Sequence, residues 1–266
     1  MKIRHTYAIV LRQLYLLRAT PTRSIQLLWS ILDVVLWGFI TKFLGSVSAS
    51  GFNFVGVLLG AVLLWDFSVR CIYGIATAFF EDLWARNLLN FFASPLTIFE
   101  YLTGLVVSGI TTTLVSFVGV LVFSSLAFHF SVLAYGGGLL LFMLVLLLFA
   151  MALGIFGISV VLNFGPSAEW FIWPLPAIVG PFVGVFYPIA TLPPVMQFIS
   201  RLLPPSYVFE GARSIILHGT FELHMLLLGA GEALAYLFLA YGFFVFVYRR
   251  AIRTGLIARY SAETTS

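Results

Sequence analysis

Three ionisable residues stand inside long apolar stretches of this sequence: Asp33, Asp66 and Arg70. If such a stretch crosses a bilayer, inserting each charged side chain costs about 2.5–3.5 kcal/mol, so we expect each one to have a partner. Asp66 and Arg70 are four residues apart and can pair along one helical face, which favours a structural role over contact with a substrate. Asp33 has Trp29 and Trp37 one turn to either side. Its partner must therefore come from another helix, from water or from a substrate.

Side chains that carry hydrolytic or metal chemistry do not cluster in the sequence. It contains neither G-x-x-x-x-G-K-[ST], nor H-E-x-x-H, nor G-x-S-x-G, the patterns of ATP-phosphate binding, zinc proteolysis and serine hydrolysis. The single cysteine, Cys71, excludes an intrachain disulfide and a cysteine-based metal site. The four histidines are scattered along the chain. We therefore expect no catalytic site, no metal site and no cofactor bound by this chain.

The composition places most of the chain in lipid. Of the 266 residues, 61% are hydrophobic and only 9% are charged, whereas soluble domains carry about 25% charged residues. A globular core of this size would need a charged shell that the sequence cannot supply. The formal net charge of +4 comes from cations gathered near the two chain ends, and basic and aromatic residues do not alternate in the sequence between these ends, so the charge does not predict nucleic-acid binding.

Six apolar runs are long enough to cross a bilayer, which needs about 20 helical residues. The sequence therefore predicts an all-α membrane protein with six transmembrane helices. The third and fourth runs merge into one block, which we divide at residues 129–138 because a histidine, a serine and three consecutive glycines predict a tight hairpin there. The predicted spans are 25–43, 54–80, 98–128, 139–162, 170–189 and 225–248.

The distribution of Lys and Arg predicts the orientation. With six spans, ten of the 14 basic residues fall on one side of the membrane. The positive-inside rule then places both termini in the cytoplasm and predicts a multi-pass protein of the inner (cytoplasmic) membrane. Glu100 and Glu169 lie near the cytoplasmic ends of predicted spans and are expected to be solvated or interfacial.

Three regions follow from this division: residues 1–24, the transmembrane domain 25–248 and a basic cytoplasmic tail 249–266. Apolar residues of the segment 3–17 recur at helical spacing, with basic and polar residues on other faces. This pattern predicts an amphipathic helix on the cytoplasmic leaflet that ends before Pro21. The alternative is a basic flank that serves only to orient the first span.

Between the second and third spans, residues 81–95 combine charges, helix-forming residues and a closing Ser-Pro. Acidic residues open this segment and an arginine follows one turn later, an order that suits the helix dipole. We predict a short helix at the cytoplasmic membrane face. It is either a docking helix for a partner or an ordinary interfacial connector, and the residues alone do not separate the two.

Between the fifth and sixth spans, residues 190–222 contain two Pro-Pro pairs that divide the segment into two pieces, each too short to cross the membrane. Both pieces are half-apolar, which is typical of re-entrant or interfacial helices. We therefore predict an outer re-entrant helical hairpin. Within it, Glu210 and Arg213 have the spacing of an ion pair on one helical face.

These segments give the chain a resemblance to the ABC-2 family of transporter permeases, over essentially its whole length. One specific part is the cytoplasmic run that ends in Ala93-Ser94-Pro95-Leu96 and continues to Glu100 and Gly104. The other begins at Leu192-Pro193 on the outer side and includes Pro204, Tyr207, Glu210 and Arg213.

The resemblance implies the permease subunit of an ATP-driven exporter, forming a homodimer or heterodimer with two cytoplasmic subunits that bind ATP and Mg. Residues 1–24 would be the connecting helix and residues 81–95 the coupling helix that receives motion from the ATPase. The hairpin would cap the exit, through Pro193, Pro204, Tyr207, Glu210 and Arg213. The coupling residues implied are Glu81, Asp82, Leu83, Arg86 and Asn87, of which Asn87 departs from the small hydroxyl residue that many members carry.

The alternative function is an ion-coupled secondary transporter that uses the charges at positions 33, 66 and 70 as a relay. The sequence lacks the paired broken segments of a two-half repeat, which disfavours this function. A membrane-embedded enzyme is disfavoured by the missing catalytic patterns. The cargo is left open among lipid-linked glycans, lipids, hydrophobic drugs and peptides.

Overall fold

The computed structural model describes residues 7–13, 15, 22–47, 55–88, 96–130 and 136–255. Every regular element within these ranges is helical. In chain order the elements are α1 (7–13), α2 (Thr22–Val47), a π-helical turn (Val55–Leu59), α3 (Gly60–Trp84), α4 (Ile98–Phe128), α5 (Gly137–Phe164), a 3-10 helix (Pro166–Phe171), α6 (Leu175–Val179), two 3-10 turns (Gly180–Phe182 and Ile189–Thr191), α7 (Pro194–Ser200), α8 (Pro204–His218) and α9 (Leu223–Arg253).

Five helical stretches among the described residues are long and apolar enough to cross a membrane: Leu28–Val47, Gly56–Trp84, Ile98–Phe128, Gly137–Phe164 and Leu223–Arg253. They coincide with five of the six predicted runs, and the prediction of an all-α membrane protein is confirmed. The predicted break between the third and fourth runs is also found, since α4 ends at Phe128 and α5 begins at Gly137.

The fifth predicted span, residues 170–189, is not a continuous helix. It consists of 3-10 turns and the five-residue helix α6. The physical reason lies in the sequence, because Pro174, Pro176 and Pro181 lack the N–H that a helix interior requires, and Gly184 has φ +72°. Three prolines in eight residues thus break the helix rather than only bending it.

This broken segment nevertheless runs alongside α3 in the opposite direction. At its start, Glu169 Oε2 accepts a hydrogen bond from Trp84 Nε1 at 2.9 Å. Near its end, a Cβ on Gly180 would lie 3.8 Å from Trp65 Cζ2. Trp84 and Trp65 are separated by about 28 Å along the axis of α3. The 11 steps from Glu169 to Gly180 cover about 16–22 Å at helical rises, and the long Trp side chains bridge the remaining distance. The contacts therefore extend along α3 over a length similar to the hydrocarbon core of about 30 Å.

The helices share two buried apolar clusters, one toward each end of the bundle. The cluster at the end where α1 lies includes Ile9, Phe79 and Phe244, and we call this end the α1 end. The cluster at the opposite end, here the far end, includes Phe142 and Phe209. The last helix, α9, packs mainly on α5, whereas α3 packs on both α4 and α5.

Close approach to α4 is made possible by glycines. A Cβ at Gly104 would lie 2.7 Å from Ile9 Cγ2, so the buried Ile9 of α1 packs against α4 at a position without a side chain. A Cβ at Gly109 would lie 2.6 Å from the backbone nitrogen of Ile75, so α3 and α4 touch almost backbone to backbone. Small residues at helix contacts are the usual means of tight packing in membranes.

Helix α4 begins with a capping box. The Thr97 hydroxyl accepts from Glu100 N at 3.3 Å, and Thr97 N donates to Glu100 Oε2 at 3.1 Å. Glu100 is only 3% exposed, which corrects the expectation that it is solvated. Reciprocal capping satisfies two otherwise unpaired backbone donors, which is why a carboxylate is held inside this helix end.

Candidate functional site

The start of the predicted coupling segment belongs to α3 rather than to a separate helix. Glu81, Asp82 and Leu83 lie in the last turn of α3, which ends at Trp84. The chain then turns at Arg86, whose φ of 52° is unusual for a residue other than glycine. Residues 89–95 of the predicted segment lie outside the described residues.

Asp82 is completely buried and doubly bound. Its Oδ1 pairs with the Arg12 guanidinium of α1, and its Oδ2 accepts from Tyr101 Oη of α4 at 2.8 Å. The next residue of α1, Gln13, donates from Nε2 to the Ala78 carbonyl of α3 at 3.2 Å. One carboxylate therefore joins α1, α3 and α4, and its side chain is closed to direct contact with another protein.

The remaining predicted coupling residues divide by exposure. Leu83 is buried, and Glu81 and Asn87 are half-buried. Arg86 is exposed, as are the two residues before it, and the Trp84 ring is 55% exposed. The surface that this end of α3 offers to a partner is therefore Trp84, Ala85 and Arg86, which we call the α3 tip. A large exposed aromatic ring beside an exposed arginine is typical of interface anchors.

Asp66 and Arg70 form the predicted ion pair, with Arg70 Nε 2.7 Å from Asp66 Oδ2. The other carboxylate oxygen, Oδ1, accepts from Ser30 Oγ of α2 at 2.7 Å. Both oxygens of Asp66 thus have partners, which ties α2 to α3. Asp33 lies close enough to Asp66 and Arg70 to interact electrostatically with both.

Asp33 itself lines an open apolar groove on the outward face of α2, with a volume of about 660 Å³. The aromatic rings in this groove are strongly exposed, 70% for Trp29 and 62% for Phe39. Asp33 is half-buried. The groove places a carboxylate on a surface that is otherwise suited to lipid or to another apolar helix.

The predicted hairpin segment contains two helices, α7 and α8, which begin at Pro194 and Pro204. Pro193 immediately precedes α7. The turn between the two helices, residues 201–203, is here called the hairpin tip. It lies beside the middle of α9, because Tyr236 Oη donates to the Leu202 carbonyl at 3.0 Å. Tyr236 is about 20 Å along the axis of α9 from its first residue.

The Glu210–Arg213 ion pair that the sequence predicted is also present, at 2.8 Å. Glu210 Oε1 additionally accepts from Ile189 N at 2.8 Å, and Arg213 Nη2 donates to the Gly184 carbonyl at 2.8 Å. These bonds satisfy backbone groups in the irregular second half of the broken segment. The pair therefore fixes α8 to that segment.

One intramembrane carboxylate was missed by the sequence reasoning: Glu232, in α9. It is the only acidic residue in the apolar run 225–248, a signal that could have identified it. The phenols of Tyr207 and Tyr236 flank it. The Tyr207 phenol lies in hydrogen-bonding range of the Glu232 carboxyl. Glu232 Oε2 is buried and has no hydrogen-bond partner among the described residues.

Within the described part of the chain, no group of three His, Cys, Asp or Glu residues is arranged to hold a metal ion. The arrangement instead offers helix-joining ion pairs, an exposed α3 tip and carboxylates on lipid-facing surfaces. A family model described as ABC-2 type transporter matches residues 5–217. No curated protein matches the chain significantly.

Proposed function

The chain belongs to the ABC-2 type transporter family, and from this premise we propose that it is the permease subunit of an ATP-driven exporter. It works as a dimer with two cytoplasmic ATP-binding subunits, which supply ATP and Mg. The observation that carries the proposal is the family match across residues 5–217 of a chain with five membrane-length helices among its described residues. The matched domain is a transport permease domain and not an ATPase domain.

We propose that the chain crosses the inner membrane six times, with both termini in the cytoplasm. The sixth crossing is the broken segment, whose contacts with α3 extend over about the thickness of the hydrocarbon core. Irregular backbone at this depth is tolerated where protein covers it. The α1 end is then cytoplasmic, in agreement with the basic residues near the two ends of the chain. The far end is the outer side, and the hairpin α7–α8 re-enters from it.

The ATPase contacts the α3 tip through Arg86 and Trp84, and its motion is transmitted there. Motion of this tip reaches α1 and α4 directly, because the buried Asp82 is bound to both. Ion pairs of this kind are broken at high cost once one partner is removed. The three helix ends therefore move as one unit rather than separately.

The dimer forms along the exposed face of α2. A carboxylate facing lipid is unfavourable, and a second copy covering the groove around Asp33 would remove it from lipid. The large exposed rings of this face supply the apolar area that such a contact needs. The pathway for cargo then lies between the two copies.

An ion-coupled relay has less support. Both oxygens of Asp66 already have partners, in Arg70 and Ser30. A relay carboxylate must release its partners during each cycle, whereas this one holds two helices together. The charges at positions 66 and 70 therefore serve the structure in the proposed function.

The test is the ATPase activity of the chain copurified with its ATP-binding protein and reconstituted in lipid vesicles. We expect Arg86→Glu to abolish the stimulation of ATPase activity by the permease. The matched control is Arg253→Glu, which reverses an exposed charge at the same end of the bundle and should leave the stimulation intact. If no ATPase associates with the chain, or if it moves solute alone under an ion gradient, the proposal is wrong.

A further inference from the structure

The Glu232 carboxyl has too few hydrogen-bond donors beside it. Tyr207 Oη donates to the Arg201 carbonyl at 2.9 Å, and Tyr236 Oη donates its only proton to the Leu202 carbonyl at 3.0 Å. The Tyr207 phenol also lies in hydrogen-bonding range of the Glu232 carboxyl, so its single proton is shared between two acceptors. Glu232 Oε2 is left without a hydrogen-bond partner among the described residues.

This carboxyl also lies at a depth where water is scarce. Helix α9 has 31 residues, which makes it about 46 Å long. If it is centred on a hydrocarbon core of about 30 Å, Glu232 lies about 6 Å inside the outer boundary of that core. An unpaired carboxylate at this depth is unfavourable, so the site favours a ligand that brings both positive charge and N–H donors.

The surface beside the site is apolar and open. Leu202 of the hairpin tip and Leu228 of α9 are exposed, as is Phe198 of α7. Arg201, also exposed, is near enough to the Tyr207 phenol to interact with it electrostatically. A simple cation would be repelled by this guanidinium, whereas a headgroup with a phosphate next to an ammonium suits both charges.

We propose that Glu232, Tyr207, Tyr236 and Arg201 form a binding site for a phospholipid whose headgroup carries a primary ammonium and a phosphate. The ammonium donates to the Glu232 carboxylate and to the phenol oxygens, and the phosphate accepts from Arg201. The acyl chains lie on the exposed apolar surface of α7 and α9. The binding site does not depend on the proposed permease function, but identifying the lipid as cargo rests on it.

The test compares lipids retained by the purified full chain after exchange from mixed micelles, counted by native mass spectrometry. The probes are phosphatidylethanolamine, phosphatidylcholine, which lacks N–H donors, and phosphatidylglycerol, which lacks the ammonium. We expect the wild type to retain phosphatidylethanolamine about tenfold better than either, the ratio that about 1.4 kcal/mol gives. Equal retention of all three lipids by the wild type would overturn the proposal, whatever the behaviour of the variants.

Two variants localise the effect. Glu232→Gln keeps the side-chain shape and should remove the preference for phosphatidylethanolamine over phosphatidylglycerol. Glu222→Gln is the matched control, because it makes the same change at an exposed site just before the same helix, and it should keep the preference. A preference that survives in Glu232→Gln places the site elsewhere and contradicts the proposal.

A second experiment distinguishes a lipid that is transported from one that is only bound. The chain is reconstituted with its ATPase in vesicles containing phosphatidylethanolamine, and an impermeant amine-reactive reagent measures how much of this lipid reaches the outer leaflet on adding ATP. ATP-dependent exposure identifies the bound lipid as cargo, whereas binding without exposure identifies it as a resident lipid. Failure of the exporter function abolishes exposure but leaves retention unchanged, so it is distinguishable from failure of the site.

Discussion

Asp82 and Arg86 are one helical turn apart in sequence, yet the fold gives them opposite surroundings. Asp82 is buried and bound by residues from two other elements, whereas Arg86 lies on the surface at the turn that follows α3. The resemblance assigned both residues to the coupling segment. In the structure, Arg86 is accessible from outside and Asp82 is not, because Asp82 joins α3 to α1 and α4.

The asymmetric burial of the Arg12–Asp82 pair predicts an asymmetric response to mutation. The Arg12 side chain is 30% exposed, whereas that of Asp82 is 0% exposed. Arg12→Ala leaves a buried carboxylate without its counter-ion, which costs about 3–5 kcal/mol. Asp82→Asn leaves an arginine that can reach water, and it costs about 1.5–3 kcal/mol, the value of a hydrogen bond to a charged group.

The measurement is the free energy of unfolding of each purified variant in detergent, with Arg86→Ala as an exposed control expected to stay within about 0.5 kcal/mol of the wild type. A larger loss for Asp82→Asn than for Arg12→Ala would contradict this account. It would mean that the Tyr101 hydroxyl, rather than the guanidinium, supplies most of the stabilisation of the carboxylate.

At the scale of elements, the closest approach of a described glycine to the backbone of another helix lies between α3 and α4. A Cβ at Gly109 would lie 2.6 Å from both the backbone nitrogen and Cγ1 of Ile75, and the backbone nitrogen cannot rotate away. At Gly104, the neighbouring atoms belong to the side chain of Ile9, of which Cγ2 and Cδ1 can rotate and Cβ cannot. The contact at Gly109 is therefore the less adjustable of the two.

Gly109→Ala should therefore destabilise the protein by about 1–3 kcal/mol, as overpacking does in a filled core. The matched control is Gly119→Ala in the same helix, where a Cβ meets nothing within 4 Å. That variant should be unchanged or slightly stabilised, by up to about 1 kcal/mol, because alanine is the better helix former. Thermal unfolding of both variants in the same detergent checks the difference, and equal losses would show that the contact with Ile75 is not tight.

At the scale of the whole molecule, the question is whether a chain with five membrane-length helices crosses the bilayer five or six times. The broken segment decides this, because it follows α3 from Trp84 to Trp65 without being a regular helix. Six crossings place the α3 tip and the end of α9 on one side. Five crossings place the end of α9 on the opposite side.

Single cysteines in a Cys71→Ser background test the six-crossing topology with an impermeant thiol reagent in right-side-out vesicles. We expect labelling at His129→Cys and Thr220→Cys, both at the far end, and none at Ser167→Cys or Thr254→Cys until the vesicles are opened. All four positions are exposed in the structure. Labelling of the residue at 254 in intact vesicles would contradict the cytoplasmic placement of the C-terminal end.

The sequence by itself determined the features that depend on neighbours along the chain. Hydropathy over about 20 residues located five of the membrane-length helices, and fixed spacing predicted the pairs Asp66–Arg70 and Glu210–Arg213. Proline positions located the starts of α7 and α8. Each of these features follows from a local property of the chain: the helix length that a bilayer needs, the shared face of residues three or four apart and the missing N–H of proline.

Only the tertiary structure decided the features that depend on which helices lie side by side. Arg12 meets Asp82 across 70 positions of sequence, and hydropathy contains no information about such a pairing. Sequence spacing likewise could not show that Tyr207 and Tyr236 donate to carbonyls of the hairpin tip, or that Glu232 Oε2 beside them lacks a partner among the described residues. Partners in a bundle are set by packing between distant segments, and that packing made Asp82 structural and Glu232 a candidate binding residue.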